Sequence, residues 1–140
     1  GAIMRVSETV RDAMANGAVD LVDAGVAGAA VLEIYTGTAP ATFGDAPAGT
    51  LLILFDLPDP AFGAAAVGVA TLLGVPIAAV GEGAGDAGYA RVLDQDAAAV
   101  FDTEDVGTSG NTVTMSTVTV SVGLDVDLTA MTVTAPAGAV

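Results

Sequence analysis

Apolar and polar residues alternate along residues 112–134, and the alternation changes phase once in each half. The changes fall at 116–117 and at 129–130, at equal distances from Gly123. Alternation of this kind is typical of a half-buried β-strand, and a glycine between two such runs can adopt the positive φ of a tight turn. The pattern therefore predicts a long antiparallel hairpin over 112–122 and 124–134, with Gly123 as its structural turn.

The register of this hairpin follows from the residues that must share a face. If Gly123 is the centre, Val120 faces Val126 and the other apolar residues also meet apolar partners. In this register Val118 faces Leu128. Cross-strand partners lie on the same face of the ribbon, so the two phase changes would also lie opposite each other. We therefore expect the hairpin to bend and to pass from one sheet to the other.

The rest of the chain after residue 30 predicts short strands separated by turns rich in Gly and Pro. No alternation of strands and helices follows, so we expect a mainly β fold, an antiparallel β-sandwich or barrel of about 7–8 strands with a bent C-terminal hairpin. The predicted strands before the hairpin are Val31–Thr36, Leu51–Leu57, Val67–Leu73, Pro76–Val80, Tyr89–Asp94 and Ala98–Asp102.

Residues 5–24 predict an amphipathic helix ahead of a β body at about 30–135. Ser7 suits the N-cap and Gly25 the end of the helix. We expect one domain over 4–140, with residues 1–3 either a cloning remnant or part of a chain that lost a methionine before Gly1. The residues expected to dock on the β body are Val6, Val10, Met14, Ala18, Leu21 and Val22, with Glu8, Arg11, Asp12 and Asn16 on other faces.

The charge of the chain is strongly acidic. Seventeen acids stand against three arginines, with no lysine, histidine or cysteine, and the net charge is −14. Nucleic-acid binding needs clustered cations, and anionic membrane surfaces attract basic segments, so neither is expected as a partner. Residues 61–81 are uncharged and long enough to span a bilayer, but Pro76 and the lack of basic flanks favour two short buried strands. No secretory signal is visible at the start.

The sequence offers few groups for chemistry. General acid–base work needs a proton carrier tuned near neutral pH, and paired carboxylates without aromatic platforms do not favour a glycosidase. We therefore expect no enzyme, no catalytic residues and no cofactor. Five acids between 94 and 105 are weak candidates for a hard cation, but the segment departs from the EF-hand order. We favour a reading in which residues 94–96 form a hairpin turn. The five candidates are Asp94, Asp96, Asp102, Glu104 and Asp105.

Two blocks of sequence together resemble a known family. The first contains "LEIYTGTAPATFGD", "LL" and "DPAFGAAAVGVAT"; the second contains "AGYARVLDQDAAAVFDTEDVGTSG" and the terminal hairpin. This order resembles small proteins encoded by tailed bacteriophages and prophages. Two departures are Ala97, where a glycine usually follows the turn, and an unusually apolar "ILFDLPD". The matching positions are Ile34, Tyr35, Gly37, Pro40, Leu51, Leu52, Phe62, Gly63, Gly88, Tyr89, Arg91, Val92, Asp94, Asp96, Gly107, Gly110 and Gly123.

The resemblance implies a non-enzymatic virion protein, such as a capsid decoration protein or a head–tail or tail-associated component. Its partners would be other virion proteins or copies of itself, in the virion or in the host cytoplasm before assembly. Arg91 would pair with a nearby acid or anchor a neighbouring subunit at an interface. The alternative hypothesis is a β-sandwich module that binds glycans or cell surfaces, in one version with calcium.

Overall fold

The computed structural model describes residues 5–26 and 28–135. In this part of the chain one helix, α1 (Glu8–Asp20), precedes a body of β-strands. The strands are β1 (Val31–Tyr35), β2 (Leu51–Asp56), β3 (Val69–Thr71), β4 (Ile77–Val80), β5 (Gly85–Asp86), β6 (Tyr89–Leu93), β7 (Ala99–Thr103), β8 (Val106–Gly107), β9 (Val113–Met115), β10 (Thr119–Val120) and β11 (Asp125–Thr134).

The first sheet is antiparallel, with the strand order β2-β1-β6-β7. Period-2 alternation decides which residues of its strands are buried, because successive side chains point to opposite faces. Leu32 of β1 lies opposite Phe55 and Val92, and all three are buried. The odd positions of β1, including Glu33 and Tyr35, therefore share the other face of this sheet.

The second large sheet is built around β11. β9 pairs antiparallel with one edge of β11, and β3 and β4 pair with the other edge. β8 lies beyond β9 and is parallel to it, whereas β10 and β5 form a separate small ribbon. The predicted mainly β fold with an N-terminal helix is confirmed. The predicted barrel is wrong because the sheets do not close, and the described residues hold eleven strands rather than seven or eight because several are only two or three residues long.

The apolar stretch at 61–81 forms two strands, as expected, but both are half-exposed rather than buried. β3 and β4 follow one another along the same edge of β11. Between them the chain loops outward and exposes Leu73 and Val75. Buried side chains of both larger sheets and of α1 belong to one continuous apolar cluster.

The C-terminal hairpin forms only in its outer part, and its predicted register is wrong. Leu128 pairs with Met115 rather than with Val118, and Val126 pairs with Ala79 of β4. The ladder ends where Ser116 Oγ accepts the Asp127 N–H at 3.0 Å, because a side chain then replaces the strand's own carbonyl.

Beyond this point the chain leaves β11. Val120 pairs with Gly85 of β5 instead of Val126. The two phase changes therefore have different causes. The first marks the departure of the strand, and the second is an irregularity of register between Leu128 and Ala130. Gly123 does occupy a turn, with φ at 85°.

The turn between β6 and β7 confirms the interpretation of residues 94–96 as a hairpin turn. Asp94 Oδ1 accepts the backbone N–H groups of Asp96 and Ala98, both at 2.9 Å. Ala97 has φ at 66°, in the left-handed region that favours glycine.

The helix begins as predicted, since Ser7 Oγ accepts the Val10 N–H at 3.2 Å. The predicted docking face is right at Val22, which is fully buried, but wrong at Val10, Met14 and Leu21. Val10 and Met14 are each 44% exposed, whereas the buried residues of the helical segment are Ala15, Val19 and Val22. Relative to the prediction the helix is rotated about its axis, so that the polar side chains of Asp12 and Asn16 contact the loop at 61–68.

Three oxygen atoms make this contact. Asp12 Oδ1 accepts the Gly68 N–H at 2.6 Å, and Asn16 Oδ1 accepts the Ala65 N–H at 2.7 Å. Just after the helix, Asp23 Oδ1 accepts the Ala61 N–H at 3.0 Å. Buried backbone N–H groups need partners, and α1 supplies them to a loop with little strand pairing of its own.

Candidate functional site

A cleft of about 250 Å³ lies between β7 and the C-terminal half of β11. Its apolar part is formed by Phe101, Met131 and Val133, which all pack on the core. Its polar part contains one carboxylate and four threonine hydroxyls. The lining residues are Phe101, Asp102, Thr103, Thr112, Met131, Thr132, Val133 and Thr134.

Two strand edges face this cleft. β7 is the last strand of its sheet, and no described strand pairs with its outer edge. On β11, the Thr132 N–H donates to the Thr112 carbonyl at 3.1 Å, and no described strand continues along that edge. Because alternate residues of a strand point the same way, the Thr134 N–H and C=O also face the cleft. The cleft offers backbone and hydroxyl hydrogen bonds above an apolar floor, which is an arrangement for binding.

A polar cluster lies on the face of the first sheet that points away from the core. Glu33 lies opposite Arg91, and Tyr35 lies opposite Tyr89 with the ring centroids 5.2 Å apart. The Tyr35 hydroxyl donates to Glu33 Oε1 at 3.1 Å. Arg91 is only 6% exposed, and its Nη2 donates to the Asp45 carbonyl at 2.6 Å. Arg91 thereby ties the loop at 36–50 down over the sheet.

Burial raises the pKa of both tyrosines above the ordinary value of 10.0. Desolvation, followed by the nearby Glu33 carboxylate, raises the pKa of Tyr35 to about 12. Desolvation also raises the pKa of Tyr89; the Arg91 guanidinium opposes this rise and Asp102 and Glu33 add to it. Both phenols are therefore neutral hydrogen-bond donors at pH 7. The Tyr89 hydroxyl and Arg91 Nε are buried without a hydrogen-bond partner among the described residues.

The five metal candidates take part in separate local contacts or lie apart. Asp94 caps its turn, Asp96 Oδ1 accepts the Val26 N–H at 3.2 Å, and Glu104 Oε2 accepts the Ala39 N–H at 2.8 Å. Asp105 accepts hydrogen bonds from the side chain of Asn111 and from Thr112. Asp102 lies opposite Arg91 and lines the cleft. Across residues 5–26 and 28–135 no three acids gather into a group that could hold a metal ion.

Sequence reasoning singled out Asp102 and Arg91 but missed the cleft itself. The signal that was present is the threonine-rich end of β11, where Thr132 and Thr134 alternate with Val133. That pattern predicts a polar strand face, but it does not say which strand lies opposite. The role of Arg91 at an interface stays a prediction. Within the folded chain its guanidinium is buried beneath the loop at 36–50.

The surface of α1 is the second feature that the sequence did not predict. The exposed residues Val10, Ala13, Met14, Gly17 and Leu21 form one face of the helix, which we call the helix stripe. Leu21, just beyond the last helical residue, is 58% exposed. Apolar side chains were expected on this helix, but facing the β body. They face solvent because Asp12 and Asn16 turn the opposite face inward.

Comparison with known proteins identifies no relative. A scan of family models, a search of curated proteins and a search of solved structures each gave no match to this chain. Among the described residues, no helix combines the length and the apolar character needed to cross a membrane.

Proposed function

We propose that this protein is a non-enzymatic structural component of a bacteriophage or prophage particle, such as a capsid decoration protein or a head–tail or tail-associated protein. In this proposal the two larger sheets are the layers of a β-sandwich, and the protein contacts other virion proteins or copies of itself. Nucleic acid and membranes are not among its partners. The resemblance in the two sequence blocks motivates the proposal.

The observation that carries the proposal is the exposure of large apolar side chains in several separate places. One place is the helix stripe. A second, which we call the apolar tip, consists of Val80, Val122 and Leu124, which are 52%, 72% and 38% exposed. They are neighbours because Val80 pairs with Asp125, and Gly81 bonds to Leu124. Clusters of exposed apolar side chains mark contact surfaces, and a particle component needs more than one.

The charge of the chain suits such a role. With a net charge of −14, copies of the protein repel one another in solution. Contact surfaces must then be local regions with few acids, and the three side chains of the apolar tip are themselves uncharged, with Asp125 beside them. A subunit of this kind stays dispersed until a complementary surface is present, which is the behaviour expected of a late addition to a particle.

Mass spectrometry of purified particles tests the proposal. We expect the protein to remain with the particles through a density gradient, at a fixed ratio to the major capsid protein. Val122→Glu should lower that ratio, whereas Ala41→Glu, a change of the same kind on an exposed loop, should not. Absence of the protein from particles at any stoichiometric level would contradict the proposal.

The cleft between β7 and β11 favours a second candidate function, the binding of glycans. Its hydroxyls and Asp102 can hydrogen-bond to sugar hydroxyl groups, and Phe101 supplies an aromatic surface. A glycan array followed by titration would test this, with Thr132→Val and Thr134→Val as variants expected to weaken binding. A melting-temperature titration with millimolar calcium separates the calcium-dependent version, because a ligand of the native state must raise its stability.

A further inference from the structure

We propose that the cleft between β7 and β11 binds an extended, positively charged peptide segment of a partner protein, which adds to the free edge of β11 as a further strand. Three features of the cleft indicate this chemistry. They are a row of unpaired backbone groups, a lining that is apolar on one side and polar on the other, and a carboxylate without a partner. Such binding does not require the proposed function in a particle.

The row of unpaired backbone groups lies along the end of β11. Thr132 donates its N–H to the Thr112 carbonyl at 3.1 Å, whereas the Thr112 N–H donates to Asp105 Oδ2 at 2.9 Å and not back to Thr132. The Thr132 carbonyl and both backbone groups of Thr134 therefore face the cleft without a partner among the described residues. A carbonyl, an N–H and a second carbonyl at strand spacing are the groups with which an added β-strand pairs.

The lining of the cleft matches the alternation of side chains along a strand. Phe101, Met131 and Val133 form the apolar floor, and the threonine hydroxyls and Asp102 form the polar side. Because successive side chains of a strand point to opposite faces, a peptide in the cleft would place every second side chain on the floor. The volume of about 250 Å³ is below the roughly 300–1,000 Å³ of pockets that enclose a small molecule, which suits a short part of a longer chain.

The charge of the partner follows from Asp102. This residue is half-buried, and it is the one charged residue among those that line the cleft. Arg91 lies opposite it on β6 but directs Nη2 to the Asp45 carbonyl at 2.6 Å. The Asp102 carboxylate has no hydrogen bond or ion pair with any described residue. Because a half-buried carboxylate attracts a cation more strongly than a fully solvated one does, we expect a lysine or arginine of the partner beside Asp102.

These features favour a basic peptide over the other occupants of such a cleft. A neutral glycan has neither backbone groups at strand spacing nor a positive charge. A second copy of this chain carries a net charge of −14 and no lysine, and two of its three arginines, Arg11 and Arg91, already donate to carbonyl groups of their own chain. We therefore expect the positive charge to come from a different protein.

NMR titration of the isotope-labelled full chain with the peptide acetyl-TVKVT-amide measures this binding. The two valines of the peptide can face the apolar floor while the lysine faces Asp102. A few residues bury much less than the roughly 800 Å² per partner of a stable complex, so we expect a dissociation constant of about 0.1–1 mM. The shifted signals should be confined to β7, the end of β11 and the residues beside them.

Two altered peptides test the chemistry of the partner. Glutamate in place of lysine should weaken binding about tenfold, because attraction to Asp102 becomes repulsion. Methylation of the backbone nitrogens of the lysine peptide should abolish binding, because an added strand needs its N–H groups. Absence of binding by the lysine peptide, equal binding of the lysine and glutamate peptides, or full binding of the methylated peptide would each overturn the proposal.

Variants of Asp102 and a matched acid test the charged contact. Asp102→Asn should weaken binding of the lysine peptide about fivefold and remove the preference for lysine over glutamate. Asp127→Asn changes an exposed acid on β11 outside the cleft and should bind as the wild type does. Equal effects of the two variants would overturn the assignment of the partner's charge to Asp102.

Variants of Thr134 separate strand addition from recognition of hydroxyl groups. Thr134→Pro removes the N–H that the peptide needs, and a free strand edge tolerates proline, so binding should be lost. Thr134→Val keeps the N–H and should bind the peptide as the wild type does. Circular dichroism confirms that both variants fold. Equal weakening by both would show that the hydroxyl is recognised, as expected for a glycan, and would overturn strand addition.

Sedimentation equilibrium separates a partner protein from a second copy. We expect the chain to remain monomeric at the concentrations of the titration. Self-association that acetyl-TVKVT-amide reverses would place a second copy in the cleft and overturn the assignment to a different protein. Mass spectrometry of particles is a separate experiment, so either proposal can fail alone.

Discussion

The helix α1 and the strand β11 are both attached to the rest of the molecule, but by opposite chemistry. β11 has strand neighbours on both edges and buries Val126, Leu128 and Met131, which are 1%, 0% and 3% exposed. α1 places few apolar side chains in the core and is attached by Asp12 and Asn16, which accept hydrogen bonds from a loop. The strand is fixed by apolar burial, whereas the helix combines a few buried apolar side chains with polar contacts to a loop.

This difference shows when a hydrophobic pattern determines orientation. In a strand that is paired on both edges, the backbone hydrogen bonds are already satisfied, so burial of alternate side chains decides which face turns inward. A helix packed on an irregular loop meets unpaired N–H groups, and leaving one of them unpaired costs about 1–3 kcal/mol, which is comparable to the gain from burying one apolar side chain. Apolar periodicity then no longer identifies the docking face.

The largest effect is expected from Leu128→Ala on β11. Leu128 is fully buried between Met115 and Ile77 on the neighbouring strands. Removal of the side chain should lower the free energy of unfolding by about 2–5 kcal/mol, because transfer and cavity contributions add. Urea denaturation followed by circular dichroism measures this. Leu124→Ala, at an exposed position just before β11, is the control and should change stability by less than about 1 kcal/mol.

On the helix, Asp12→Ala should lower stability by about 1–3 kcal/mol, because the Gly68 N–H loses its partner. Asp12→Asn keeps an oxygen acceptor in the same place and should recover most of the loss. Glu8→Ala, in the exposed first turn, controls for the loss of an acid. Hydrogen exchange at Gly68 gives a local readout. If Asp12→Ala and Glu8→Ala behave alike, the helix is not attached by its polar face.

The β elements were predicted well where local pattern is sufficient. β1 ends one residue before its predicted end, and the turn after β6 was identified from residues 94–96 alone. Both features depend on residues that are close in sequence, namely the period-2 alternation of β1 and the aspartate cap of the turn. Competition between distant segments for the same strand edge could not be predicted in this way. The inner half of the hairpin leaves β11 for β5, a strand of two residues with no pattern of its own.

The candidate surfaces were predictable only in part. The cleft joins residues 101–103 to residues 131–134, which lie close only because the two sheets meet there. Apolar residues at Val10 and Met14 were recognised, but their exposure depends on N–H groups of the loop at 61–68 that no helical pattern reveals. The sequence predicts the elements, and the contacts between them decide which surfaces remain free.

A smaller effect is expected at the turn whose Gly68 N–H donates to Asp12 of α1. Val67 and Gly68 both have positive φ, at 52° and 74°, in the tight turn that joins Ala66 to Val69. Asn-Gly suits such a turn, whereas a β-branched residue is strained there. Val67→Asn should therefore raise stability by about 1 kcal/mol. Thermal denaturation measures this, with Val122→Asn as a control for loss of an exposed valine. A lower melting temperature for Val67→Asn would show that the valine side chain stabilises the turn.

The smallest effect is expected at a polar anchor of the β body that resembles the one on the helix. Asp105, just before β8, accepts hydrogen bonds from Asn111 and Thr112 at the start of β9. These bonds, that of Asn111 first, lower the pKa of Asp105 below its ordinary value of 3.8. The stabilisation is therefore fully present above pH 3.8 and is lost as the pH falls through the lower folded-state pKa.

Asp105→Asn should thus reduce stability at pH 7 and make the acid limb of the stability profile shallower, so that the two proteins converge at low pH. Asn111→Ala should raise the pKa of Asp105 toward 3.8, which an NMR titration of the carboxyl carbon measures directly. Parallel profiles for the wild type and Asp105→Asn down to pH 2 would mean that the anchor acts through shape alone. In that case the charge of Asp105, unlike its hydrogen bonds, would not contribute to the stability of the β body.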